Sequence, residues 1–188
     1  MEGVTHQAFG AAVWLGVAAL VHPGLEASAG GAAVAALCAP MCDLDNRGAW
    51  SSRHKSRLGI RVRSHPVRYP VASVLSLLGE HREGPCHSLL VAACLGAGLA
   101  LLHGVWGWWP VWAGLALGAG LCSHVLIDML NRTGVAAFWP WPFLLGLHLF
   151  EVGGPVEVWV IRPVCFLAAG ALAWVQFRHG VHGVHWHG

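Results

Sequence analysis

Residues 111–130 read VWAGLALGAGLCSHVLIDML, an apolar run that closes on a histidine and an aspartate four positions apart. A helix that crosses the hydrocarbon of a bilayer needs about 20 such residues. The run lacks the polar–apolar alternation of a barrel strand, and in lipid only helices and closed barrels satisfy every backbone group. It therefore predicts a membrane-spanning helix. Gly114 and Gly118 form a small-xxx-small pair on it, suited to close contact with a second helix. Its last turns carry His124 and Asp128 on one face.

Outward from this run lie further apolar stretches at residues 7–21, 27–41, 88–105 and 158–177. The first closes on His22-Pro23-Gly24, and the first two are short and rich in Gly and Ala. Residues 71–78 are too short to span and are expected at the interface. Residues 139–150, interrupted by proline, read as a re-entrant or interfacial piece. The expected fold is all-α, a multi-pass transmembrane helical bundle of about five membrane helices. One membrane-embedded domain would cover residues 1–178, including a basic cytoplasmic loop at 47–70, with a flexible His/Gly-rich tail at 179–188.

Composition agrees. Hydrophobic residues make up 56% and charged residues 11%, against roughly 25% charged in a typical globular domain; mean hydropathy is +0.58. The net charge of +2 conceals a cluster at Arg47, Arg53, Lys55, Arg57, Arg61, Arg63 and Arg68. Between apolar segments such a cluster points to anionic lipid headgroups on the cytoplasmic side, with no nucleic acid expected. The cysteines form no C-x-x-C pair, so neither a disulfide framework nor a thiolate zinc site is expected. No Lys or Arg precedes the first apolar run, so it is read as an uncleaved helix. Trp106, Trp108, Trp109 and Trp112 crowd one turn, as an aromatic belt does.

Placing the basic loop in the cytoplasm puts the N-terminus there too. With that one choice His6, Asp43, Asp45, His81, His87, His124 and Asp128 all fall near the cytoplasmic ends of helices, and the tail falls on the far side. Ionisable groups in apolar segments are costly and mark functional sites. His124 and Asp128 can reach a single metal ion, although a hydrogen-bonded pair that holds the bundle together explains them equally well. Asp43 and Asp45 repel unless cations neutralise them, but an isolated Asp-Leu-Asp is more often a helix end opening into a polar loop. His81-Arg82-Glu83-Gly84-Pro85-Cys86-His87-Ser88 offers two imidazoles and, in Arg82, a guanidinium able to hold a phosphate. Imidazole and carboxylate without thiolate suit Zn²⁺ or Mn²⁺ in a hydrolytic site. Arg162, near Glu157, reads as a positive-inside anchor more than as a phosphate-binding residue, and His148 and Glu151 are either further ligands or parts of the interfacial piece. His179, His182, His185 and His187 stand in the tail.

Thr5-His6, Asp43-Leu44-Asp45, His81-Arg82 with His87-Ser88, and Ser123-His124 with Asp128 resemble the ordered motifs of the YdjM-like family. These are LexA-regulated inner-membrane proteins regarded as metal-dependent hydrolases. The tract 134–142 and Gly153-Gly154-Pro155-Val156-Glu157 resemble later elements of that family, so the likeness spans nearly the whole chain. Two departures stand out. Asn46 follows Asp45 where the family has His, and the central motif carries one extra residue and Cys86 in place of Thr. This puts more weight on His87 than on His81.

The family in turn is distantly similar to zinc-dependent phospholipases C. That similarity implies His6, Asp43, Asp45, His87, His124 and Asp128 as metal ligands, His81 as a further one, and Asp45 alternatively as the residue that orients water. Two or three divalent ions, zinc by expectation, would activate water to cleave a phosphoester, with Arg82 holding the phosphate. The substrate would be a lipid or lipid-linked molecule, and the protein would sit multi-pass in the inner (plasma) membrane. A metal or small-molecule transporter and a non-catalytic membrane scaffold are the alternative functions. The chain has no HExxH motif, Gly-rich phosphate loop or nucleophile elbow.

Overall fold

The computed structural model describes residues 3–45, 82–107, 110–141 and 143–183. The basic loop, the stretch 71–78 and His81 lie outside the described residues, as do Trp108, Trp109 and residues 184–188. Helix α1 covers Gly3–Val21 and α2 covers Leu25–Cys38. Between them His22 and Gly24 adopt positive φ (49° and 92°), which reverses the chain in three residues. Pro40 follows α2. It has no N–H to give to a carbonyl four residues back, and the chain tightens into a 3-10 helix over Ala39–Asp45.

A single 3-10 turn, Pro85–His87, leads into α3 (Leu89–Leu101), whose N-terminus is capped by the Ser88 hydroxyl accepting from Val91 N. The short α4 (His103–Trp106) precedes α5 (Val111–Asp128). A π-helical turn, Glu157–Ile161, opens into α6 (Arg162–Gly183). Four segments are long and apolar enough to cross a membrane: Gly3–Val21, Leu25–Asp43, Val111–Asp128 and Glu157–His179. The shorter apolar helix Leu89–Val105 is the fifth member of the bundle. No strand occurs among the described residues, and the expectation of a helical membrane bundle holds.

In lipid the hydrophobic effect does not drive helices together, so their association rests on close packing of small residues. The α3–α5 contact shows this. A Cβ added at Gly114 would lie 2.3 Å from Ala100 N, and one at Gly96 would lie 2.6 Å from Gly118 Cα. Helix α5 also packs on α2, where Gly120 meets the Ala35 backbone, and on α1, which touches α2 and α6 as well. Trp14 fills the α1–α2–α5 junction, donating its Nε1 hydrogen to Ala27 O at 3.0 Å. Trp112, expected in an aromatic belt, instead packs against Gly30 and the Trp14 cluster. Helix α6 is outermost. With the π-turn that opens into it, it turns Glu157, Cys165 and Gln176 inward while Trp159, Val160, Val164, Phe166, Leu167 and Trp174 are exposed, as suits a lipid-facing segment.

Between α5 and α6, residues 129–141 and 143–154 form an irregular strap across one end of the bundle, which takes in the described part of the 139–150 piece expected to be interfacial or re-entrant. Val135 and Leu145 exchange backbone hydrogen bonds at 2.9 Å, and Leu147 N and Leu149 N bind Met129 O and Leu130 O. The strap also grips the chain ahead of α3, through Ala136 N to Arg82 O and Leu89 N to Ala137 O, each at 2.8 Å. Helix α6 runs past the expected end of the membrane stretch to Gly183, so the first residues of the His/Gly-rich tail are helical.

The α3–α5 contact is directly testable. Gly114→Ala should cost about 1–3 kcal/mol through overpacking. Gly98→Ala, whose Cβ would meet nothing within 4 Å, should be neutral or stabilising by up to about 1 kcal/mol. Thermal unfolding of the two variants in detergent gives the comparison.

Candidate metal centre

The strapped end of the bundle gathers the first turns of α1, the 3-10 helix after α2, the turn ahead of α3 and the last turns of α5. His6 comes from α1, Asp43 from the 3-10 helix, His87 from the turn, and His124 and Asp128 from α5. His6, His87, His124 and Asp128 have no solvent exposure, and the Asp43 side chain keeps 19% of its surface. The structure thus brings these five groups together at one end of the bundle. The Asp45 side chain and His81 lie outside the described residues.

His124 Nε2 is the hub. It lies 3.2 Å from His87 Nε2, 3.6 Å from Asp43 Oδ1 and 3.7 Å from Asp128 Oδ2. His87 Nε2 is 3.7 Å from the same Asp43 oxygen, and His6 Nε2 is 3.5 Å from Asp128 Oδ1. The His6 ring stacks on that of His124, with centroids 3.7 Å apart and planes 16° from parallel. Two overlapping triads result, His6–Asp43–His124 and His87–His124–Asp128, each with its ligand atoms within 4.8 Å of one another. Two imidazole nitrogens facing each other at hydrogen-bond distance need either a shared proton or a cation between them. Among the described residues, neither ring nitrogen of His6 makes a hydrogen bond, nor does His124 Nδ1. Buried polar atoms left in this way are costly, and a cation is one way to satisfy them.

Around these donors sits a supporting shell. Arg82 Nη2 approaches Asp128 Oδ2 at 3.2 Å, and its Nη1 donates to Thr133 Oγ1 at 2.6 Å. Asn131 Nδ2 donates to Asp128 Oδ1 at 2.7 Å. Apolar residues close the flanks, with Val125, Val135 and Ala137 in one cluster and Ala8, Ile127, Phe150 and Cys165 in another. The arrangement orients the ligands and keeps the local dielectric low, as outer shells of metal sites do. Asp128 and Arg82 were both legible in sequence. Asn131 and Thr133 carry no motif that marks them in sequence, although Asn131 stands three residues after Asp128, just past the end of α5.

Other candidates fall elsewhere. Glu151 pairs with Arg132 and His148 contacts the Arg132 carbonyl on the exposed strap, outside both triads. Arg162 and Glu157 meet at Thr5. His179 packs edge-on against His22 at the far end of α1, about 24 Å from His6 at 1.5 Å per residue. The start of the tail is thus remote from the donor cluster.

Residues 1–181 match the family model described as YdjM inner membrane protein. No curated protein and no solved structure matches the chain.

With chelator present, Arg82→Ala should cost about 2 kcal/mol, the scale of a hydrogen bond to a charged group. In an Asp128→Asn background the same change should cost much less. A double-mutant cycle by thermal unfolding measures that coupling, and equal losses in both backgrounds would show that the pair does not hold.

Proposed function

We propose that this chain, which belongs to the YdjM inner membrane protein family, is a membrane-bound metal-dependent hydrolase acting on a phosphoester of a lipid or lipid-linked substrate. The observation that supports it most is the approach of His87, Asp43 and Asp128 to within 3.2–3.7 Å of His124 Nε2. Donors arranged tetrahedrally about 2.0–2.1 Å from one zinc ion stand about 3.3 Å apart. The residues therefore fit a divalent ion, and zinc is the proposed one. His6, Asp43, His87, His124 and Asp128 would hold it. A neutral imidazole nitrogen has one lone pair, so the triads that share His124 together describe one ion. A second or third ion would draw on bridging by Asp43 or Asp128 and on Asp45 or His81.

When bound, such an ion lowers the pKa of a water toward neutrality and stabilises charge on phosphoryl oxygens. The chain's own residues supply the rest. Asp43 and Arg82 are the partly exposed members of the group, at 19% and 16%, and form its open side. A phosphate entering there would meet the Arg82 guanidinium, which keeps N–H hydrogens beyond those given to Asp128 and Thr133. Asn131 and Arg82 fix the Asp128 carboxylate, while Val125, Val135 and Phe150 exclude bulk water. Asp45 is the proposed residue for orienting the attacking water. The likeness to zinc phospholipases C rests on the residues alone.

The donors lie near the ends of candidate membrane spans, and the end of a span that crosses about 30 Å of hydrocarbon would sit near the lipid headgroups. The basic cluster from Arg47 to Arg68 follows Asp45 directly in sequence, and the bias of such clusters toward the cytoplasm favours a cytoplasmic site and N-terminus. Transport is the weaker reading. Beyond the site, the buried side chains at the α1–α2–α5 junction include Trp14, Ala35 and Ala116, all apolar.

Detergent-purified protein should carry at least one equivalent of divalent metal. His124→Ala and Asp43→Ala should lose it, along with hydrolysis of a phosphoester panel, and chelation should abolish turnover until zinc is restored. Folded wild type that binds no divalent metal would sink the proposal.

A further inference from the structure

Glu157 is fully buried at the first residue of the π-helical turn, on the outermost helical segment, and no step above uses it. Its Oε2 accepts from Gly153 N at 2.8 Å, and its Oε1 accepts from the Thr5 hydroxyl at 3.1 Å. Thr5 Oγ1 in turn accepts from Arg162 Nε at 3.3 Å. Thr5 is fully buried and immediately precedes His6 in the first turns of α1.

The start of a helix is its weakest part. Its first N–H groups have no partner within the helix, and no preceding turn holds it in place. His6 stands in that position, at the fourth residue of α1. Its ring must nonetheless stay stacked on His124 and directed at the donors. Among the described residues, the side-chain hydrogen bonds reaching the first turns of α1 come from the π-turn side, through Glu157 and Arg162 to Thr5. A π-turn fits an extra residue into the helix and often occurs at functional sites. Here it coincides with the residues that reach α1.

We infer that Glu157 is a positioning residue for the metal centre: through the Thr5 hydroxyl it fixes the start of α1, so that the His6 imidazole is held at the donor cluster. The inference rests on the metal-binding reading above. It adds a tether 152 residues away in sequence from the Thr5 it holds. Glu157 is thereby assigned no contact with substrate or metal.

The test measures zinc affinity of the detergent-purified full chain by competition with a chelating dye, alongside the absorption spectrum of the cobalt-substituted protein. Thr5→Val removes the hydroxyl at nearly constant volume, Thr5→Ser keeps it, and Glu157→Ala removes the acceptor. Thr5→Val and Glu157→Ala should weaken zinc binding about 10- to 100-fold, the scale for losing an outer-shell partner, and should alter the cobalt spectrum. Thr5→Ser should restore both.

Gln176→Ala removes a buried polar residue of α6 that bonds Ser28 and not Thr5, and should leave affinity unchanged. Helix content by circular dichroism checks folding; if Glu157→Ala does not fold, Thr5→Val against Thr5→Ser decides. Zinc affinity of Thr5→Val within twofold of wild type would overturn the tether, as would equal losses in Thr5→Val and Thr5→Ser. Wild type that binds no metal would overturn the metal reading itself.

Discussion

Imidazoles and carboxylates buried at the end of an apolar bundle are tolerable only if they satisfy one another or share a cation. Around His124 that condition shapes everything nearby. Taking such groups out of water is costly, and here Asp43, His87 and Asp128 lie close enough to His124 to offset that cost. The strap, the guanidinium of Arg82 and the amide of Asn131 complete the arrangement. Remove the mutual satisfaction, and the same residues become reasons for the bundle to come apart.

Bringing donors from four segments to one point requires helix axes to approach closely, and that follows from the absence of side chains. Gly96, Gly114 and Gly118 let α3 and α5 touch backbone to backbone. This contact sets the height of His124 relative to His87, because each stands just beyond the contact on its own chain segment. Gly120 does the same for α2, whose 3-10 continuation delivers Asp43. Packing and chemistry are thus linked by distances fixed within the membrane-spanning part, far from any exposed loop.

Much of this was legible in sequence, because both signals are local. Runs of apolar residues fix the number of helices, and the alternating direction of successive spans sorts His6, Asp43, His87, His124 and Asp128 to one end. The boundaries were less legible. Helix α1 begins at Gly3, ahead of the apolar run, since Thr5 and His6 find partners through tertiary contact that no propensity records. Pro40 narrows a helix that hydropathy reads as continuous. Trp112 reads as an interface anchor, yet Gly30 gives it a place inside. Glu157 is legible as the end of a family-like Gly-x-x-x-Glu element near a helix end, but its tie to Thr5 is not. A partner 152 positions away leaves no trace in spacing or composition.

Helix α6 has one further consequence. Together with the π-turn that opens into it, it meets the bundle through the buried polar side chains Glu157 and Gln176, which reach hydroxyls on Thr5 and Ser28. Hydrocarbon offers no competing partner for such bonds, whereas a loosely packed micelle admits water that can replace them. The attachment of α6 therefore depends on the solvent around it: firm in a tight bilayer, and the first to loosen as the surroundings become wetter.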